Sequence, residues 1–128
     1  MTLLIDAVYT LVSCDDEATF ETRELNTALA DYLATRDEQI IVVTNAWDFK
    51  YAKIRELLAD YTFETYTLEN YPPKTDPEYR ARVMMYYGLD PEECFYLDHS
   101  EDNLDAAAEI GIQGELFFST EQGIRVLE

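Results

Sequence analysis

Asp6 closes the apolar string Leu3-Leu4-Ile5 near the start of a chain of 128 residues. A carboxylate in that setting is expensive to bury without partners, so it is either paired with a cation or held as a reactive nucleophile. Thr44-Asn45 follows the β-branched run Ile40-Ile41-Val42-Val43. Its hydroxyl and amide can donate hydrogen bonds to an oxyanion, or close a local turn. Lys74 follows Pro72-Pro73 and precedes a helical stretch, and taken alone it reads as a solvated loop lysine. After Cys94-Phe95-Tyr96-Leu97, the segment Asp98-His99-Ser100-Glu101-Asp102 sets four ionisable groups in five positions. A hard cation would neutralise them, whereas the bland alternative is a helix start rich in acids.

Short apolar runs alternate with helical periods along the whole chain, the pattern of an α/β domain with a mostly parallel sheet. The strands expected are Leu3-Leu4-Ile5 continuing into Ala7-Val8, Ile40 to Val43, Phe63 to Leu68 at an edge, Cys94 to Leu97, and Glu115 to Phe118. Between them, Leu25, Ala28, Leu29, Tyr32 and Leu33 make one apolar helical face, and Phe49 to Ala59 makes a second helix. Asp76 is placed to cap a helix that has Pro77 at its first position and stops at Gly88. Leu104 to Ile110 and Glu121 to Leu127 complete the set. In a doubly wound sheet the carboxyl ends of parallel strands line one crevice, which would bring Asp6, Thr44-Asn45 and Asp98-His99 together.

Composition excludes several function classes. Nine Lys plus Arg against 27 Asp plus Glu give a net charge of −18, a surface that repels nucleic acid and anionic lipid. There is no apolar run long enough to span a bilayer, and Met1 to Thr10 does not read as a secretory leader, so a cytoplasmic protein without membrane or nucleic-acid partners is expected. Cys14 and Cys94 lie far apart in no metal-ligand spacing and read as reduced thiols. One histidine and four glycines exclude a multi-histidine metal site and a glycine-rich nucleotide loop. At 48% hydrophobic residues the chain can build one core, and a single domain over residues 1–128 is expected.

The order of the chemical groups resembles the four motifs of the haloacid dehalogenase-like (HAD) hydrolase superfamily: Asp after strand one, Thr after strand two, then Lys, then an acidic cluster. Lys74-Thr75-Asp76-Pro77-Glu78 is similar to that family's Lys-Pro-Asp-Pro-Glu segment. Asp98-His99-Ser100-Glu101-Asp102-Asn103, with Ala106-Ala107 and Ile110-Gly111-Ile112, resembles its fourth motif and the helix beyond. The resemblance implies a three-layer, doubly wound, mostly parallel five-stranded Rossmann-like core. The stretches between motifs leave no room for a cap domain. It further implies that Asp6 is the nucleophile, that Thr44, Asn45 and Lys74 hold phosphoryl oxygens, and that Mg²⁺ sits among Asp6, the Val8 carbonyl, Asp98 and Asp102.

Three positions depart from the pattern. Val8 stands where the family has its acid/base Asp, Tyr9 where it has Gly, and His99 where an ungapped match has a second Asp; pairing Asp98 with Asp102 instead keeps two carboxylates, and the sequence leaves that choice open. The expectation is therefore an HAD-like hydrolase domain of phosphatase ancestry, forming an aspartyl-phosphate from a phosphomonoester, with activity weak or absent. The alternative is a non-catalytic binding or regulatory module on the same scaffold. An open crevice suits a small phosphorylated molecule, a macromolecular substrate, or closure by a second copy of the chain.

Overall fold

The structure is a computed structural model that describes residues 1–13 and 23–128. Five strands form one parallel sheet: β1 (Thr2–Asp6), β4 (Gln39–Thr44), β5 (Glu64–Thr67), β6 (Cys94–Asp98) and β7 (Gln113–Leu116), in the order β5-β4-β1-β6-β7. A two-stranded antiparallel ribbon, β2 (Val12–Ser13) with β3 (Glu24–Leu25), leaves the sheet after β1. The helices are α1 (Thr27–Ala34), α2 (Phe49–Leu57), α3 (Pro77–Tyr87), α4 (Glu101–Glu109) and α5 (Thr120–Leu127).

Period-two alternation sorts the central strands between two cores. Leu3 and Ile5 of β1, with Ile40 and Val42 of β4, pack against Leu29 and Leu33 of α1, Ile54 of α2 and Leu127 of α5. Leu4, Ile41, Val43, Cys94 and Tyr96 face the other way, onto Tyr79, Val83 and Met84 of α3 and Ala107 of α4. Helices thus cover both faces of the sheet, giving the three-layer α/β architecture expected. Strands buried on both faces need no polar alternation, which is why β1 reads as a continuous apolar run.

Helix α3 has the boundaries its sequence predicts. The Asp76 carboxylate accepts from Glu78 N at 2.9 Å, Pro77 fills the first turn, and Gly88 ends the helix at φ 65°. Elsewhere boundaries move. Ala7 and Val8 are not strand: the Ala7 carbonyl accepts from Leu11 N at 2.9 Å and Val12 N at 2.8 Å, folding the chain back directly after Asp6. Leu25 belongs to β3 rather than α1, because the Asn26 side chain accepts from Leu29 N at 3.2 Å and starts the helix after it. Strand β7 runs two residues earlier than expected. Leu116 pairs with Asp98, and Phe117 turns inward to pack as core. Cys94 is a buried free thiol; Cys14 lies outside the described residues. Among the described residues no helix is long and apolar enough to cross a membrane.

Candidate functional site

The three innermost strands end in Asp6, Thr44 and Asp98, all buried at one edge of the sheet. Lys74, in the loop before α3, reaches over them. Its ammonium hydrogen-bonds Asp6 Oδ1 and lies 3.2 Å from Asp98 Oδ2. Burial works against that charge, but Asp6 and then Asp98 outweigh it and raise the Lys74 pKa above its usual value. Lys74 is therefore the ion-pair partner of two buried carboxylates and not a solvated loop residue.

Asp98 is held by several partners at once. Burial alone would raise its pKa, yet hydrogen bonding from His99, the charge of Lys74 and the Tyr96 hydroxyl bring it well below the usual carboxylate range. Ser100 N donates to Oδ1 at 2.9 Å, while Asn103 Nδ2, at 3.1 Å, and the Tyr96 hydroxyl donate to Oδ2. Tyr96 is two residues before Asp98 on the same strand, so both side chains leave the same face of the sheet. Over that face lies Arg80 of α3, a fully buried arginine whose guanidinium donates from Nη2 to the Tyr96 hydroxyl at 2.6 Å and from Nη1 to the Lys74 carbonyl. It sits 4.0 Å from Asp98 Oδ2, with its central carbon 4.7 Å from the Tyr96 ring centroid and 5.2 Å from that of Tyr79. One guanidinium thus ties the lysine loop to the carboxylate strand.

His99 Nδ1 lies 2.7 Å from Asp6 Oδ2 and 3.3 Å from Asp98 Oδ1. Hydrogen bonding to Asp6, then to Asp98, raises the imidazole from its ordinary 6.5 to about 9 despite partial burial. The folded chain then holds a proton that the unfolded chain releases above 6.5. This contribution to stability is fully present below pH 6.5 and lost as the pH rises to about 9. Denaturant titrations without divalent cations are expected to show the unfolding midpoint falling across that window. His99→Gln should flatten the fall; an unchanged slope would remove the pairing.

Of the residues the sequence points to, Asp6, Val8, Thr44, Asn45, Lys74 and His99 line one open cavity of about 310 Å³. Asp98 lies beneath them, fully buried. Asp102 does not join: it stands exposed in the first turn of α4, where it complements the helix dipole, and Asn103 reaches Asp98 in its place. The Asn45 amide braces two loops, donating to the Pro72 carbonyl at 3.1 Å and accepting from Leu68 N at 3.3 Å. Thr44 Oγ1 accepts from Ala46 N at 3.1 Å, which leaves its hydroxyl hydrogen for another acceptor. Tyr9 takes φ 70°, the left-handed conformation that glycine adopts most readily. The carboxylates of Asp6 and Asp98 and the imidazole of His99 present ligand atoms within 4.8 Å of one another, close enough to meet around one divalent cation. A larger hollow of about 500 Å³ along α2 and β5 gathers none of these groups.

Sequence reasoning missed Thr10, whose hydroxyl donates to Asp6 Oδ2 at 3.0 Å, as well as Arg80 and Tyr96. Two signals were present: the strand parity of Tyr96 with Asp98, and an arginine on the helical stripe of Val83 and Met84.

No family model matches the chain, and no curated protein matches it. Solved structures do. The HAD-family enzyme BT-2542 from Bacteroides thetaiotaomicron, in a magnesium complex, superposes with a TM-score of 0.81 at 18% identity, over 99% of this chain and 98% of that one. An HAD-superfamily hydrolase of subfamily IA from Geobacter sulfurreducens gives 0.71 at 14% identity, over 99% and 96%. An uncharacterized protein from Corynebacterium glutamicum gives 0.73 at 16%, over 98% and 90%. The fold is HAD-like.

Proposed function

We propose that the chain is an HAD-like hydrolase domain of phosphatase ancestry, without a cap, whose turnover of a small phosphomonoester is slow because Val8 occupies the acid/base position. The observation that carries this is that Asp6 and Lys74 meet in one cavity, with Asp98 buried beneath them and paired to the same lysine, while the cavity wall at residue 8 is a hydrocarbon. Asp6 and Asp98 would hold Mg²⁺, as the magnesium complex of BT-2542 supports, and the cation would neutralise charge developing on the phosphoryl oxygens. His99 Nδ1 lies close enough to both carboxylates to join them.

The remaining chemistry belongs to the chain. Asp6 adds to phosphorus as the ester P–O bond breaks, and Lys74, fixed by two carboxylates, neutralises the transferring group. The alkoxide leaves without a protein acid and takes its proton from water. Water then cleaves the aspartyl-phosphate with no carboxylate at residue 8 to activate it. The second reading, a binding module, is favoured by His99, which hydrogen-bonds the very oxygen pair that nucleophile and metal would use.

The test is hydrolysis of an aryl phosphate with and without Mg²⁺. Turnover far below the median enzyme rate of ~10 s⁻¹, dependent on Mg²⁺ and lost in Asp6→Asn, is expected. Ordinary rates would overturn the impairment, and turnover surviving in Asp6→Asn would remove the nucleophile. Phosphate binding with no turnover would select the binding module.

A further inference from the structure

The cavity has a second character that phosphate alone does not use. Around Asp6 and Lys74 its wall continues into Tyr9 and Trp47, which are 47% and 54% exposed. Both are large rings presented to solvent at the mouth of a polar site. Trp47 is the chain's sole tryptophan, and it stands on a braced loop. The Asn45 amide joins that loop to Leu68 and Pro72, and Thr67 Oγ1 donates to the Ala46 carbonyl at 2.6 Å. Tyr9 is fixed from beneath by the His99 ring, 5.1 Å away between centroids, and carries the Arg23 guanidinium 5.4 Å from its own. A ring held in place before binding, as Tyr9 is, loses little entropy when a ligand stacks against it.

Charge narrows the ligand further. Among the described residues the cavity lining holds one acid, Asp6, which pairs with Lys74, and a second lysine, Lys50. Its volume of about 310 Å³ is at the small end of ligand sites, room for one ring system and a phosphate. Resting on the phosphomonoester reading above, we infer that this site selects phosphomonoesters whose alcohol part is a flat aromatic ring, stacked on Trp47 beside Tyr9, over aliphatic ones.

The measurement is calorimetric titration of the full chain, in Mg²⁺, with phenylphosphonate, ethylphosphonate and inorganic phosphate, none of which is an ester that can turn over. Phenylphosphonate is expected to bind about tenfold more tightly than ethylphosphonate, the scale of one ring–base stack. It should also shift Trp47 fluorescence. Trp47→Ala should bring that ratio close to one, and Trp47→Phe should keep part of it. Equal affinities for the two phosphonates, with phosphate bound, would overturn the aromatic selectivity and leave the phosphate site standing. If none of the three binds, the phosphate reading falls and the selectivity with it.

Discussion

Replacing Val8 with aspartate is expected to raise phosphomonoesterase turnover by roughly 10²–10⁴-fold, the range that a positioned acid/base supplies. Val8 lies on the cavity wall two residues beyond Asp6, in a half-buried position. The turn carrying it is fixed by Tyr9 N donating to the Val12 carbonyl at 3.0 Å and by the Ala7 carbonyl accepting from the amides of Thr10, Leu11 and Val12. Val8 packs on the rim of the core and also lines the cavity, so a carboxylate placed there has a side open to the cavity from which it can exchange protons. The gain should be larger for alkyl phosphates than for a good aryl leaving group, because the poorer leaving group depends more on protonation. Steady-state kinetics on both, with Asp6→Asn in the Val8→Asp background as control, checks the result. No gain on either substrate would show that residue 8 is not what limits the chemistry.

Arg80→Met is expected to destabilise the fold by about 3–5 kcal/mol, against a total of about 5–15 kcal/mol for a domain of ordinary stability. Methionine keeps the apolar stem, so the loss reports the guanidinium's charge, its hydrogen bonds and the buried space it fills. Removing the guanidinium leaves the buried Asp98 with one cation fewer, strips a donor from the Tyr96 hydroxyl and frees the Lys74 carbonyl. Arg80→Lys should rescue only part of this, since an ammonium cannot span the three partners of a planar fork. Urea unfolding of the three proteins gives the answer. A loss below about 1 kcal/mol, the scale of an exposed pair, would mean that water or repacking replaces the guanidinium.

These two positions differ in how far the sequence announced them. Val8 was legible because it interrupts an ordered set of motifs. Arg80 was not, because an arginine in a helix reads as surface until the face it shares with Val83 and Met84 is counted. The strands around the site were likewise legible: β-branched runs such as Ile40 to Val43 read as buried strands, and their polar ends fall at one edge of the sheet. The ribbon of β2 and β3 left no signal, since two-residue strands have no period to read. Glu115 to Phe118 misplaced β7 because Phe117 is apolar for the helix-side core and not for the sheet. Asp102 looked as good a ligand as Asp98 on spacing. The start of α4 at Glu101 decides between them, sending Asp102 outward and Asn103 in.

The backbone at Tyr9 ties strain to selectivity. A non-glycine residue at φ 70° costs roughly 1–2 kcal/mol in local conformation. Substitution by glycine would relieve that strain, at the loss of the Tyr9 contacts with His99 and Arg23. That same change would remove one of the two rings at the mouth of the cavity. Relief of strain and loss of discrimination are one substitution, so selection for stability and selection for a narrow ligand range pull residue 9 in opposite directions.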